Sequence, residues 1–143
     1  MPTLFSKIIA GDLPGHFVWE DPEVVAFLSI APLRPGHTLV VPRAEVDRWT
    51  DIEPALLTRC MEVAQAIGQG VRAAWDAPRA GLVIAGFEVP HMHVHVAPAW
   101  DLSDFDFTTV EVEEDRGVLE TAAERLRNAL QELGFPHAVP PRA

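Results

Sequence analysis

"PHMHVHVAP", residues 90–98, sets His91, His93 and His95 at alternate positions with Met92, Val94 and Val96 between them. Residues two apart on a β-strand share a face, roughly 6.5–7 Å from one another along it. A strand over 91–97 therefore turns three imidazoles to one side and three apolar side chains into the core. These are half of the six histidines in the chain. Three readings fit the pattern. The first is a surface strand that merely carries histidines. The second is a zinc site, in which a His-x-His pair converges on one ion with a third ligand from elsewhere. The third is nucleophilic catalysis, because neutral imidazole is abundant at pH 7 and keeps a lone pair on one nitrogen. One ring would then attack phosphorus while its neighbours stabilise the anionic oxygens and protonate the leaving group.

The rest of the chain supplies partners for that strand. "HFVWE" (16–20) and "VVAFLSI" (24–30) flank the turn "DPE" as a hairpin, "HTLVVP" (37–42) is a third strand, and "GLVIAG" (81–86) a fourth. A helix opens near "DIEP", where Pro54 suits the first turn, and carries Leu57, Cys60, Met61, Ala64, Ile67, Val71 and Trp75 as its stripe. Gly68 and Gly70 weaken it unless another backbone packs closely there. Cys60 reads as plain core. A second helix runs from about Asp115 to Leu133 with Leu119, Ala122, Leu126, Leu130 and Leu133 inward and Gly134 at its end. The acidic run "EVEEDR" (111–116) before it reads as a solvated face and helix-start charge. The expected class is α+β: a mainly antiparallel five-stranded sheet, one long helix after strand three and a C-terminal helix.

With 143 residues the chain is expected to form one core, and its formal net charge of −10 includes a single lysine, Lys7. So negative a surface repels nucleic-acid backbones and anionic membranes, which leaves a small molecule as the expected partner. One cysteine allows no disulfide framework. The opening "MPTLFSKIIAGDLPG" does not read as a secretory leader, and no apolar run approaches a membrane span, so a cytoplasmic home is expected.

"PHMHVHVA" resembles the His-φ-His-φ-His-φ-φ signature of the histidine triad (HIT) superfamily of nucleotide hydrolases and transferases. "FSKIIAGDLP" (5–14) is similar to that family's opening segment, and "VVAFLSIAPLRPGHTLVVPR" (24–43) to its stretch leading into "PGH-x-LVIP-K". The resemblance implies a HIT-like fold over residues 1–108, with 109–143 as a helical extension packed on the same domain. It implies cleavage of a nucleoside 5′-phosphoramidate, mixed anhydride or dinucleoside polyphosphate, at a P–N or P–O–P bond, through a nucleotidyl-histidine intermediate. On that pattern His93 is the nucleophile, His95 contacts the scissile phosphate and leaving group, and His91 and His37 support them. Leu4, Phe5, Ile8, Leu13, Phe27 and Ile30 match the cleft for the base, although ordinary core is the other reading of each. The family's pairing through the long helix and its neighbouring strand implies a homodimer, with Gly68 and Gly70 admitting the partner.

Several positions depart from the pattern. The ribose-binding Asp is Ser29; the Gln and Ser before the signature are Phe87 and Glu88; the Asn-containing loop is missing. All three residues fall where the family touches ribose or phosphate. Many bacterial relatives also carry a zinc site built from "C-x-x-C" and a histidine after "VIP-K". Those positions here are Thr3, Ser6 and Glu45. No metal and no cofactor are therefore expected, since hydroxyls and a lone carboxylate replace thiolate poorly. The rival to catalysis is a nucleotide-binding or regulatory protein that keeps the fold.

Overall fold

A computed structural model describes residues 2–110 and 113–142 of the chain. Thr3 caps a helix not anticipated from the sequence, α1 (Leu4–Ala10), by accepting the Ser6 amide, and Gly11 ends it at φ +86°. With fewer than two full turns, α1 offers too short a pattern to announce a helix. The hairpin around Asp21-Pro22-Glu23 joins β1 (Phe17–Glu20) to β2 (Val24–Leu28). With β3 (Thr38–Pro42), β4 (Arg79–Val83) and β5 (Val94–Ala99) they form one sheet in the order β1-β2-β3-β5-β4, each neighbouring pair antiparallel. The class is α+β, as expected.

Strands β2, β3 and β5 are buried along their whole length because both faces of the sheet are covered. Val24, Ala26, Leu28, Val40, Val94 and Val96 belong to the main core with the long helices. Val25, Phe27, Leu39 and Val41 form a second layer with Phe5, against which Ile8 packs. That thinner layer carries the candidate site.

The helix α2 (Pro54–Trp75) begins with Pro54 in its first turn and buries Cys60, Val63, Ala64, Ala66, Ile67, Gly70 and Val71. Met61 is 39% exposed, so Val63 and Ala66 take core places that the sequence stripe gave to it. A Cβ on Gly70 would stand 2.6 Å from Leu130 and 2.9 Å from Leu126. Those leucines belong to α3 (Arg116–Glu132), whose N-cap Asp115 accepts the amides of Gly117 and Val118. Gly70 thus admits α3 of the same chain rather than a partner, while Gly68 is half-buried, a Cβ there standing 3.5 Å from Ala80 of β4. Leu119, Leu126 and Leu130 are buried with Ala123, whereas Leu133 lies half exposed past the last turn. Of the acidic run before α3, Glu111 and Val112 lie outside the described residues. Cys60 is buried, and burial pushes its thiol up to about 11, so it is inert core.

Several strand limits differ from the sequence reading: β2 ends at Leu28, β4 begins at Arg79 and β5 runs on to Ala99, and the larger differences lie before the triad. β4 stops at Val83, and Gly86 at φ +86° then turns the chain. β5 begins only at Val94, because the chain up to His93 arrives as irregular backbone. No described helix is long and apolar enough to cross a membrane.

Candidate active site

His37 immediately precedes β3, and its place depends on the glycine before it. Gly36 has φ +96°, and a Cβ there would come within 2.6 Å of the Trp75 ring. Only glycine combines that left-handed backbone with so close a ring. Across the β3–β5 ladder Leu39 pairs with His95, so the two strands bring the "PGH" loop beside the triad. Met92, Val94 and Val96 enter the main core, and His91, His93 and His95 turn to the opposite side, as the alternation implied.

The hydrogen bonds assign every proton on the four rings. The Leu33 amide donates to His37 Nδ1 at 3.0 Å, so in the neutral ring the proton sits on Nε2. His37 Nε2 lies 2.9 Å from His95 Nδ1 and donates to it, which leaves the His95 proton on Nε2. His93 Nδ1 is 2.7 Å from the His91 carbonyl oxygen; a carbonyl only accepts, so Nδ1 carries the proton and Nε2 the lone pair. His91 donates from Nε2 to the Pro42 carbonyl at 2.7 Å and accepts the Thr3 hydroxyl at Nδ1, also at 2.7 Å.

All three site rings are held neutral. Burial pushes His37 down to about 3, with His95 and His93 adding to it. Burial and His93 bring His95 to about 4. His93 is lowered as well, chiefly by burial, against the opposing pull of the His91 carbonyl and Glu88. A bare lone pair on His93 Nε2 and an N–H on His95 Nε2 thus stand side by side, the ring centres 4.9 Å apart.

They close one end of a cavity of about 300 Å³. Of the residues singled out in the sequence, Leu4, Phe5, Ile8, Phe27, Ser29, Ile30, His37, His93, His95 and Glu88 line it. His91 stands behind the wall rather than in it. Leu13 is outside the lining, since Pro14 takes that place in the turn after α1. Phe87 is 94% exposed: the turn at Gly86 throws it to solvent. The same turn swings Glu88 inward, and its Oε2 lies 3.9 Å from His93 Nε2. The Ser29 hydroxyl accepts its own chain's Ala31 amide at 3.3 Å.

Other lining residues were not found from the sequence, His16 and Phe107 among them. His16 enters from the start of the hairpin, its Nδ1 2.7 Å from Glu120 of α3. Phe107 sets its ring edge-on to His95 at 4.9 Å. An aromatic shortly after the triad was the available signal for Phe107; nothing local marks His16.

By residue type, Glu88, His93 and His95 are the described group that could gather a metal ion, with ligand atoms within 4.8 Å of one another. The proton relay opposes it. His95 Nδ1 is taken by His37 and Nε2 carries the proton, so His95 has no lone pair to offer.

The family model of the HIT domain matches residues 10–101, and the chain belongs to that family. An uncharacterized HIT-like protein of Borreliella burgdorferi is 34% identical over 111 residues, which is 73% of this chain and 80% of that one. The asymmetrical bis(5′-nucleosyl)-tetraphosphatase of Schizosaccharomyces pombe is 34% identical over 101 residues, 66% of this chain and 56% of its own length. The crystal structure of a zinc-bound histidine triad family protein from Mycobacterium smegmatis has a TM-score of 0.76 at 28% identity, covering 91% of this chain and 94% of that one. Membership supports a nucleotide-hydrolase-like function for the domain.

Proposed function

We propose that the protein is a hydrolase or transferase of nucleoside 5′-phosphate derivatives working through a covalent nucleotidyl-His93. The observation that carries this reading is the tautomer of His93, whose Nδ1–H is tied to the His91 carbonyl so that Nε2 presents its lone pair to an apolar cavity. In the first step Nε2 bonds to phosphorus and the P–N or P–O bond breaks, its electron pair leaving with the departing group. The His95 Nε2–H donates to a phosphoryl oxygen as charge builds there. The base lies between Phe5, Ile8, Phe27 and Ile30. No Lys or Arg is among the lining residues, which favours a single phosphate over a polyphosphate chain. The tetraphosphatase activity named for the fission yeast relative keeps dinucleoside polyphosphates among the candidates.

The reading includes no zinc. Thr3 spends its hydroxyl on His91, while the Ser6 hydroxyl and the Thr3 amide both donate to Glu45 Oε1. This hydrogen-bonded cluster occupies the positions at which relatives are expected to carry zinc ligands. It also includes a homodimer, supported by the outer edge of β4, where Leu82 is 43% and Met61 39% exposed beside Gly68. The reading also includes a cytoplasmic setting and no nucleic-acid or membrane partner, supported by the charge of −10 and the single cysteine.

A binding or regulatory role is the second reading, favoured by Glu88, whose carboxylate repels phosphate. Turnover separates the two. Adenosine 5′-phosphoramidate and diadenosine polyphosphates are offered with a radiolabel on the phosphorus next to adenosine. Release of labelled mononucleotide supports the hydrolase, and tight binding without release supports the regulator.

A further inference from the structure

The histidine relay creates a shortage that Glu88 is placed to meet. His95 presents an N–H to the cavity, but giving that proton away completely would leave the ring anionic. Resupply would have to come through His37 Nε2, and His37 Nδ1 ends on the Leu33 amide, which does not surrender its proton. His95 therefore acts as a hydrogen-bond donor, and a departing amine or alkoxide needs its proton from another group. His16 is tied at Nδ1 to Glu120. Among the described residues the lining contains a single carboxylate, Glu88, with Oε2 3.9 Å from the nitrogen that would bear the nucleotide. It is 60% exposed, so it exchanges protons with solvent and swings without disturbing the core.

We infer that Glu88 is the acid–base residue of the reaction, an inference that rests on the nucleophilic role of His93. In the first step the His93 Nε2–P bond forms and the P–N bond of a phosphoramidate breaks. The electron pair goes to the amine nitrogen, which takes the proton of the Glu88 carboxyl. The adduct is an imidazolium, because His93 keeps its Nδ1–H on the His91 carbonyl, and that positive charge offsets the new Glu88 carboxylate beside it. In the second step water attacks phosphorus and gives its proton to Glu88. The P–Nε2 bond breaks with its electrons returning to the nitrogen. Glu88 ends the cycle as it began it, its proton exchanging with solvent between turnovers, so the cycle closes on amine, nucleoside monophosphate and unchanged enzyme.

The carboxylate thereby has a use despite its repulsion of phosphate. It enters the first step protonated and the second opposite a cation.

The test is rapid-quench kinetics of the full-length protein with adenosine 5′-phosphoramidate labelled at phosphorus, comparing wild type with Glu88→Gln and Glu88→Asp. Glutamine keeps the shape but neither gives nor takes the proton. Glu88→Gln is expected to lower steady-state turnover by on the order of 100-fold. The labelled protein adduct should persist once formed, because its hydrolysis has lost the base, and Glu88→Asp should restore part of the rate. Wild-type-like turnover in Glu88→Gln with an ordinary, short-lived adduct overturns the role of Glu88 and leaves His93 standing. If the wild type turns substrate over without any adduct on His93, both fall.

Discussion

His37 Nε2 donates to His95 Nδ1 at 2.9 Å, and this one bond decides which nitrogen of His95 faces substrate with a proton. The bond is itself decided upstream, by a backbone amide on the other side of the His37 ring. Replacing His37 with Ala should therefore free His95 to adopt either tautomer. Turnover is expected to fall by about 100-fold, as for loss of one oriented donor to a developing oxyanion. Long-range ¹⁵N couplings on the wild type should show His95 protonated at Nε2 and His93 at Nδ1. The reverse pair of tautomers would contradict the relay.

Acid should weaken the fold through the same rings. His37 and His95 are held near 3 and 4 in the folded state, below the ordinary histidine value of 6.5. Between those limits the unfolded chain binds more protons than the folded one, so stability falls as pH falls. The contribution is complete above about pH 6.5 and is lost progressively down to the folded values. Urea denaturation at pH 7.5, 6 and 5 checks the sign: the midpoint should drop at each step.

Gly36 is a sharper structural test. Gly36→Ala puts a Cβ against the Trp75 ring and a side chain at φ +96°. A left-handed non-glycine costs about 1–3 kcal/mol, and the ring adds to it. Activity should fall further than stability alone requires, since the shift passes directly to His37. Urea melts and turnover on the same preparation separate the two effects.

Ribose recognition should be loose. A neutral hydroxyl contributes about 1 kcal/mol where a carboxylate gives roughly 1.5–3, and the Ser29 hydroxyl is already accepting the Ala31 amide. AMP and its 2′,3′-dideoxy analogue are expected to bind within about tenfold of each other by calorimetry. Submicromolar AMP binding that collapses with the dideoxy compound would show that another group, with His16 the nearest candidate, reads the sugar.

Zinc analysis of protein purified without added metal is expected to find substoichiometric metal, because Thr3, Ser6 and Glu45 bond to one another and to His91. One zinc per chain would contradict this and restore a metal reading of the site.

What the sequence could show followed its periodicities. The two-residue period of 91–97 located His91, His93 and His95, the resemblance of the "PGH" loop to the family's own located His37, and the helical stripes located most of the core. The misses lie where period fails. Gly86 and Pro90 interrupt the alternation before His91, so neither the outward turn of Phe87 nor the inward turn of Glu88 could be read from parity. Gly68 and Gly70 look equivalent on paper, yet α3 occupies the space beside one of them. His16 reaches the cavity through a pairing with Glu120, more than a hundred residues away.

The most direct measurement is peptide mapping by mass spectrometry after an acid-free quench with adenosine 5′-phosphoramidate. Nucleotidyl-His93 as the modified residue, formed and lost at rates consistent with turnover, is the predicted result; His93→Gly should still unfold cooperatively, at a lower urea midpoint because a buried ring is lost, and form none. Turnover with no adduct, an adduct on His95 or His91 instead, or full activity in His93→Gly would contradict the reading of His93 as nucleophile.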